Sequence, residues 1–323
     1  MASNGMSPQV IELCDEAKGT TAKIVASYGF NCFSFQAVLH GERHEVLWSA
    51  PNFERDELLP SRSGTPLLFP WPGRIRGTEF TFEGKTYRVQ AADDKQGNAI
   101  HGFVNCRRWK VVESTPHKVV GRFVASQVEP NILQWWPSDF SLTVTYELQG
   151  NTLNSQLRVD NPGPGRLPFG LGTHAYFRVP LGAGGQADDC VVTVPAAAYW
   201  EMEKLLPTGK QLPATAGRDL RQGLPFHETK LDDVLGQLTF SDGRCVTSIY
   251  DPQLKRRLTL SFSDGFRECV VFNPPHREAI CIEPYTCVPD PFTLTARGID
   301  PGLRILDPGQ SFTVDTSLQI SAE

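Results

Sequence analysis

Residues 140–151, FSLTVTYELQGN, carry the clearest secondary-structure signal in the chain. From residue 140 to residue 148 every second side chain is apolar: Phe140, Leu142, Val144, Tyr146 and Leu148. Such period-two alternation is typical of a β-strand with one buried face. Gly150 and Asn151 then supply a turn ahead of Leu153. The stretch therefore predicts a half-buried strand that returns through a hairpin.

The same alternation recurs elsewhere in the chain. It is present at 258–262, before the turn residues 263–265, and again at 312–318 near the C-terminus. Residues 79–89 predict two short strands around Glu83-Gly84. The chain also holds 28 glycines and 25 prolines, and these residues oppose long helices. The pattern predicts an all-β fold, a large antiparallel β-sandwich.

Composition narrows the class of protein. The 323 residues are 40% hydrophobic and 21% charged, which supports a large core and excludes general disorder. The net charge of -5 argues against a nucleic-acid partner, because phosphate binding needs a basic surface. The sequence lacks an apolar run that is long enough to span a bilayer. Residues 1–10 also lack the pattern of a secretory signal peptide. We expect a cytoplasmic protein with no membrane partner.

The organisation of the chain predicts one main domain. We assign residues 21–323 to a single β-sandwich domain and set apart residues 1–20 as an N-terminal segment that is a candidate for flexibility. Residues 180–189 and 207–223 are loop-like because they are rich in glycine, proline and polar residues. The eight cysteines are scattered and lack CxxC spacing, which argues against a zinc site.

Four residues lie in unusual local sequences. His101 and His174 follow glycine-containing stretches, GNAI and GLGT, and precede apolar or aromatic residues. Glu283 ends the apolar run AICI, where a carboxylate is costly unless it is paired or functional. Arg74 lies in the loop-like stretch PWPGRIRG. Taken singly, each also suits a packing histidine, a strand-end ion pair or a surface cation, and spacing alone does not bring them together.

Five motifs in a fixed order carry a family resemblance. They are GTPLLFPWPGRIRG at 64–77, NAIHGF at 98–103, GTHAYF at 172–177, LDDV at 231–234 and IEPYT at 282–286. Together they resemble the aldose 1-epimerase (galactose mutarotase) family. The resemblance implies a galactose mutarotase-like supersandwich with an open sugar-binding cleft on one face of a sheet. It also implies an isomerase that needs no cofactor and no metal, and acts on a small sugar, an aldohexose, as a monomer or a homodimer.

The same resemblance assigns roles within the site. Glu283 would be the general base and His174 the general acid, while His101 and Arg74 would hydrogen-bond the sugar and its developing charge. A carboxylate and an imidazole can exchange protons with a sugar ring without help from a metal.

Three further residues are implied as sugar contacts. Asp232 would orient the ring hydroxyls, although Asp233 is adjacent and only the register chooses between the two. Trp71 and Tyr176 would form apolar walls. Since sugar rings present polar edges and apolar C–H faces, a cleft that mixes charged and aromatic side chains suits them.

Three alternatives remain at this stage. The HGF motif with Trp109, and Phe69-Pro70-Trp71, also resemble the hexose-6-phosphate mutarotase branch. Asn105 stands where that branch usually has an arginine, which favours a neutral sugar because phosphate is bound by charge-assisted donors. A non-catalytic carbohydrate-binding protein could have the same fold. Finally, His101, His174 and Glu283 could form a two-histidine, one-carboxylate metal set.

Overall fold

The fold was analysed in a computed structural model that describes residues 8–55, 60–89, 92–93 and 96–323. Strands are numbered β1 to β28 in chain order, and nearly all belong to antiparallel sheets. Two large sheets, of nine and eight strands, make up most of the molecule. Helices among these residues are short: α1 (Ala125–Val128), α2 (Ile132–Trp135) and α3 (Pro291–Ala296).

The nine-stranded sheet contains the hairpin that the sequence predicts. Ser141–Gln149 pairs along its whole length with Thr152–Asp160, and Gly150 occupies the turn with φ of +56°. In spatial order the strands are β11 (Lys110–Ser114), β12 (Lys118–Val124), β13 (Ser141–Gln149), β14 (Thr152–Asp160), β28 (Ser311–Ala322), β24 (Arg256–Ser263), β23 (Arg244–Asp251), β18 (Val191–Thr193) and β21 (Leu224–Pro225).

The eight-stranded sheet carries the motifs near the C-terminal end of the chain. In spatial order its strands are β20 (Leu206–Pro213), β19 (Ala196–Glu203), β22 (Asp232–Leu238), β25 (Glu268–Phe272), β26 (Ala279–Tyr285), β16 (Gly172–Thr173) and β5 (Leu67–Leu68), and β17 (Ala175–Arg178) also pairs with β26. Strand β26 lies near the middle of this sheet, so both of its edges are hydrogen-bonded.

Smaller sheets complete the fold. A four-stranded sheet comprises β1 (Val10–Asp15), β2 (Thr20–Val25), β3 (Asn31–Leu39) and β4 (Glu42–Glu45). A three-stranded sheet comprises β6 (Arg74–Ile75), β10 (Ala99–Ile100) and β9 (Ala92–Asp93). The two-stranded units are β7 (Glu79–Phe82) with β8 (Lys85–Arg88), and β15 (Leu167–Phe169) with β27 (Arg304–Leu306).

One apolar layer joins the two large sheets. Leu142 and Val314 of the nine-stranded sheet belong to the same buried cluster as Val271, Ile280 and Ile282 of the eight-stranded sheet. Since successive side chains of a strand point to opposite faces, the residues between them on β25 and β26 face away from this layer. The outer face of the eight-stranded sheet is therefore free to form a site.

These observations confirm the all-β, antiparallel sandwich. Residues 180–189 lie outside the strands, as expected. The loop expected over 207–223 is wrong in its first part, because β20 covers Leu206–Pro213. That strand is the edge of its sheet, where a proline is tolerated because one row of backbone groups has no partner strand. The prolines at 207 and 213 therefore indicated a loop where the chain forms an edge strand.

The boundary expected between residues 20 and 21 falls inside a sheet. Strand β1 pairs with β2 from Val10↔Val25 to Asp15↔Thr20, so part of the segment set apart as 1–20 is a regular sheet strand. Residues 1–7 of that segment lie outside the described residues. Within the described part of the chain, no helix is long and apolar enough to cross a membrane.

Gly121 offers a test of the packing between sheets. It lies on β12, and a Cβ added there would come within 2.5 Å of the Phe30 ring, which stacks on Trp109 at 5.4 Å. We expect Gly121→Ala to lower the free energy of unfolding by about 1–3 kcal/mol through overpacking. Gly165→Ala, whose Cβ would meet its nearest neighbour at 3.6 Å, is the control. Equal denaturant midpoints for the two variants would contradict this account.

Candidate active site

A cleft of ≈ 360 Å³ lies on the outer face of the eight-stranded sheet. This volume falls within the range of about 300–1,000 Å³ that is usual for small-molecule sites. Six of the seven residues predicted for the site line it: Arg74, His101, His174, Tyr176, Asp232 and Glu283. The cleft therefore brings together side chains that are far apart in the sequence.

Strand β26 supplies the carboxylate at the floor of the cleft. Ile280 and Ile282 point into the core, so the alternation turns Glu283 and Tyr285 toward the cleft. Glu283 is only 1% exposed. The Tyr285 hydroxyl donates a hydrogen bond of 2.7 Å to Glu283 Oε2. One carboxylate oxygen is thereby fixed, and the other faces the cleft residues.

His174 faces that second oxygen. Its Nε2 lies 3.3 Å from Glu283 Oε1, and its ring stacks on Tyr176 with centroids 4.9 Å apart and planes 8° from parallel. The backbone N–H of His174 donates to the Pro66 carbonyl. Because both ring and backbone are held, the imidazole and the carboxylate form a fixed pair.

His101 is presented by a tight backbone turn. Its φ is +62°, and its ring meets His174 edge to face at 5.5 Å. Asn105 Nδ2 donates to the His101 carbonyl at 3.0 Å. The next residue, Gly102, has φ of +72°, and a Cβ there would lie 2.1 Å from the Phe69 carbonyl oxygen. The HGF motif thus needs its glycine for this close approach.

Asp232 and Arg74 line the same cleft as Glu283 and His174. Asp232 is exposed at the start of β22 and lines the cleft. Asp233 points the other way, is 7% exposed and pairs with Arg218 at 2.9 Å. The register therefore places Asp232, the expected residue, at the cleft and turns Asp233 away from it. Arg74 lies on β6 opposite Ile100.

Burial controls the electrostatics of the site. Desolvation raises the pKa of Glu283 well above its usual value, while the Tyr285 hydrogen bond and the Arg74 charge oppose the shift. Desolvation also lowers the pKa of His174 to about 3 and lowers the pKa of His101, with the charges of His174 and Arg74 adding to the effect. Burial favours the neutral form of each group, so within the Glu283–His174 pair a proton is favoured on the carboxyl over the imidazole.

Comparison with known proteins agrees with this geometry. The sequence pattern of the aldose 1-epimerase family matches residues 9–319. The chain belongs to the aldose 1-epimerase family. The Escherichia coli (strain K12) protein YihR is 24% identical over 260 residues, 79% of each chain. Human galactose mutarotase is 30% identical over 141 residues, 43% of this chain and 40% of that protein.

A solved structure shares the fold of this chain. A galactose mutarotase-like protein from Clostridium acetobutylicum superimposes with a TM-score of 0.82 at 21% identity. The match covers 98% of this chain and 99% of that one. The resemblance inferred from the five motifs is therefore confirmed, and with it the mutarotase-like fold.

Trp71 does not belong to the cleft of this aldose 1-epimerase family member. The prediction that it forms an apolar wall is wrong, because its side chain is 0% exposed and lies in the core. It stacks on Trp136 at 5.3 Å and meets Phe103 edge to face at 4.9 Å. Since Phe103 follows His101 and Gly102, Trp71 supports the turn from beneath. Tyr176, the other expected wall, does line the cleft.

Sequence reasoning missed the other residues that line the cleft, among them Asn105, Met202, Leu205 and Tyr285. Tyr285 could have been found, because it lies two residues beyond Glu283 on the same strand and must share its face. Asn105 was noted only as the replacement of a cation. Met202 and Leu205 lie in a stretch with no motif, so only the fold reveals them.

The structure groups a different set of possible metal ligands from the one expected. Among the described residues, the cluster with metal-ligand atoms within 4.8 Å of one another is His174, Cys281 and Glu283, without His101. Burial raises the pKa of Cys281 well above its usual value, and Glu283 is also shifted toward its protonated form. Metal ligands must be deprotonated, and both shifts favour the protonated forms, so the donor chemistry of this cluster disfavours a metal.

Glu283→Gln is expected to stabilise the protein in a pH-dependent way. Because burial raises the Glu283 pKa, the folded protein holds this proton above pH 4.5, where the unfolded chain releases it. Wild-type stability therefore falls as pH rises through this window, by about 1.4 kcal/mol per pH unit, and glutamine lacks the effect. Denaturant unfolding at pH 4.5 and pH 8 measures the difference.

The control is Glu203→Gln, which alters an exposed carboxyl at the end of β19. If the advantage of Glu283→Gln over wild type were the same at both pH values, the raised pKa would be refuted.

Proposed function

We propose that this protein is an aldose 1-epimerase that interconverts the α and β anomers of a free hexose. One observation carries the proposal. A buried carboxyl and a buried imidazole, Glu283 and His174, lie 3.3 Å apart at the floor of an open cleft. Anomer exchange needs one proton removed from the C1 hydroxyl and one delivered to the ring oxygen, and this pair can do both.

The reaction follows from those two proton transfers. Glu283 as carboxylate takes the proton of the C1 hydroxyl while His174 as imidazolium protonates the ring oxygen. The C1–O5 bond breaks and a C1 aldehyde forms. Rotation about the C1–C2 bond turns the other carbonyl face toward the O5 hydroxyl, and reversal of the proton transfers closes the ring. General acid and base groups each contribute roughly 10²–10⁴ in rate.

The single proton of the pair suits this chemistry. Burial raises the pKa of Glu283 and lowers the pKa of His174, and both shifts favour a proton on the carboxyl over the imidazole. Transfer of that proton across 3.3 Å gives the carboxylate and the imidazolium without exchange with solvent. The positive charge of Arg74 favours the carboxylate form of Glu283. Catalysis then needs only a redistribution of charge within the buried pair.

The other cleft residues suit a neutral sugar. Asp232 and Arg74 can bind ring hydroxyls, and His101 can hydrogen-bond the oxygen on which charge develops. Asn105 lines the cleft but its amide already donates to the His101 carbonyl, so it supports a turn instead of offering a charge to phosphate. A hexose 6-phosphate is therefore the second candidate substrate.

A non-catalytic sugar-binding protein is the remaining alternative. Binding alone does not require a carboxyl buried beside an imidazole, since burial of an ionisable pair is unfavourable unless it is used. Family membership also favours action on sugars. Catalysis is the better explanation of the pair.

Polarimetry on freshly dissolved α-D-glucose and α-D-galactose tests the proposal. Wild-type protein should accelerate the approach to equilibrium, and Glu283→Gln and His174→Asn should each lower kcat by about 10²–10⁴. Asp233→Asn is the matched control, because that carboxylate faces away from the cleft and pairs with Arg218. If wild type binds sugar without accelerating exchange, the protein is a binder; if only hexose 6-phosphates respond, the substrate assignment is wrong.

The pH dependence tests the shared proton separately. The active pair carries one proton, which is joined by a second only as pH falls toward the His174 pKa of about 3. We therefore expect the acid side of the kcat/KM profile to fall only as pH approaches this value. A decline on the acid side centred near pH 4.5, the ordinary value for a glutamate, would contradict the shifted pair.

A further inference from the structure

The acid/base pair defines the direction in which a sugar ring runs across the cleft. In the proposed reaction the C1 hydroxyl lies at Glu283 and the ring oxygen at His174. Strand β26 carries Glu283. It pairs on one edge with β16 and β17, which flank His174, and on the other edge with β25. Strand β22, which begins with Asp232, follows beyond β25. The ring oxygen therefore lies on the side of the cleft away from Asp232.

The exocyclic carbon of a hexose lies on that same side. In a pyranose ring C1 is bonded to the ring oxygen and to C2, and the ring oxygen is bonded to C5, which carries C6. With the ring oxygen at His174, C5 and C6 are directed toward the β17 side of the cleft, while C2 and its hydroxyl are directed toward Asp232. The side chains beside His174 are therefore the ones that a C6 substituent meets.

Tyr176 and one short helical turn form the wall beside His174. The Tyr176 ring stacks on the His174 ring, and its hydroxyl donates a hydrogen bond of 2.9 Å to the Ser61 carbonyl. Ser61 is the middle residue of a single 3₁₀ turn, Pro60–Arg62, and all three residues of this turn line the cleft. The wall on the side of the ring oxygen thus ends in Arg62.

Arg62 is an exposed cation on this wall. Burial raises the pKa of Tyr176 above its usual value, and the Arg62 charge opposes the shift, so the guanidinium lies close enough to act on the Tyr176 hydroxyl. Among the described residues, no hydrogen bond or ion pair engages the Arg62 side chain. Its charge therefore faces the cleft and can be used by a ligand.

Charge is unevenly distributed along the cleft. In the described part of the chain its charged side chains are two cations, Arg62 and Arg74, and two carboxyls, Asp232 and Glu283. The Arg74 charge acts on both carboxyls, because it opposes the rise in pKa that desolvation causes at each of them. Since burial favours a proton on Glu283, positive charge exceeds negative charge. The excess lies at Arg62, on the side of the ring oxygen, where an anionic group at C6 would balance it.

On the basis of the proposed function, we infer that the cleft also accepts a hexuronate, an aldose whose C6 is a carboxylate, and that Arg62 binds this carboxylate. A guanidinium matches a carboxylate with two parallel hydrogen bonds. C1, C2 and the ring oxygen are the same as in a hexose, so the two proton transfers and the ring opening are unchanged. Arg62 adds a charged contact that a neutral hexose does not use, and it acts on binding.

Polarimetry at neutral pH with D-glucuronate and D-glucose, which differ at C6, tests the inference. Wild type should accelerate anomer exchange of both sugars beyond the spontaneous rate. Arg62→Gln should lower the glucuronate-to-glucose ratio of kcat/KM about 3–10-fold, mainly through KM, because one partly exposed ion pair is lost. Arg108→Gln is the matched control. It removes the same charge at an exposed arginine outside the cleft and should keep the wild-type ratio.

The outcomes separate this inference from the function on which it rests. If wild type accelerates exchange of glucose and leaves glucuronate at its spontaneous rate, the function stands and the inference is wrong. If Arg62→Gln keeps the wild-type ratio, or if Arg108→Gln lowers it equally, the role of Arg62 is refuted.

Glucose 6-phosphate distinguishes the two anions that C6 can carry. If Arg62→Gln lowers the ratio for glucose 6-phosphate and keeps the ratio for glucuronate, Arg62 binds a phosphate and the hexuronate assignment is wrong. If wild type accelerates exchange of none of the three sugars, the proposed function itself fails, and the inference fails with it.

Discussion

The burial of Glu283 is the constraint on which the site depends. A carboxyl in the middle of an eight-stranded sheet is desolvated by burial; the Tyr285 hydroxyl donates to one of its oxygens, and His174 Nε2 lies 3.3 Å from the other. Buried polar groups of this kind need complete partners. The same partners hold the carboxyl in one orientation, so the contacts that allow its burial also fix it in the cleft.

Much of the molecule is arranged around that orientation. His174 is held by its stack on Tyr176, and His101 by a glycine turn that Trp71 and Phe103 support from the core. The layer between the two large sheets fixes the other face of β26. A displacement of about 1 Å between reacting groups can remove much of the advantage of proximity, which explains why residues without access to the cleft matter to it.

The sequence predicted the fold class for physical reasons, and most of the residues that it indicated for the site line the cleft. Alternation such as that of Phe140 to Leu148 reports directly on the two faces of a strand, and it was independent of the family motifs. Glu283, His174, His101 and Arg74 were found because charged or polar groups in apolar and glycine-rich stretches stand out. Trp71 was misplaced because an aromatic side chain suits a core as well as a sugar face, and local sequence does not distinguish the two. Met202 and Leu205 were missed because they lie outside the five motifs. Their orientation toward the cleft depends on a bulge at Trp200–Met202 and on a turn with positive φ at Lys204 and Leu205.

Strand β20 has a consequence for how the protein behaves at high concentration. As the edge of the cleft-bearing sheet it would otherwise offer a row of backbone donors to any passing strand. Pro207 and Pro213 lack the amide hydrogen, so that row is incomplete. The edge therefore resists pairing with a strand from another molecule. The prolines that made β20 resemble a loop in the sequence thus protect this edge against aggregation.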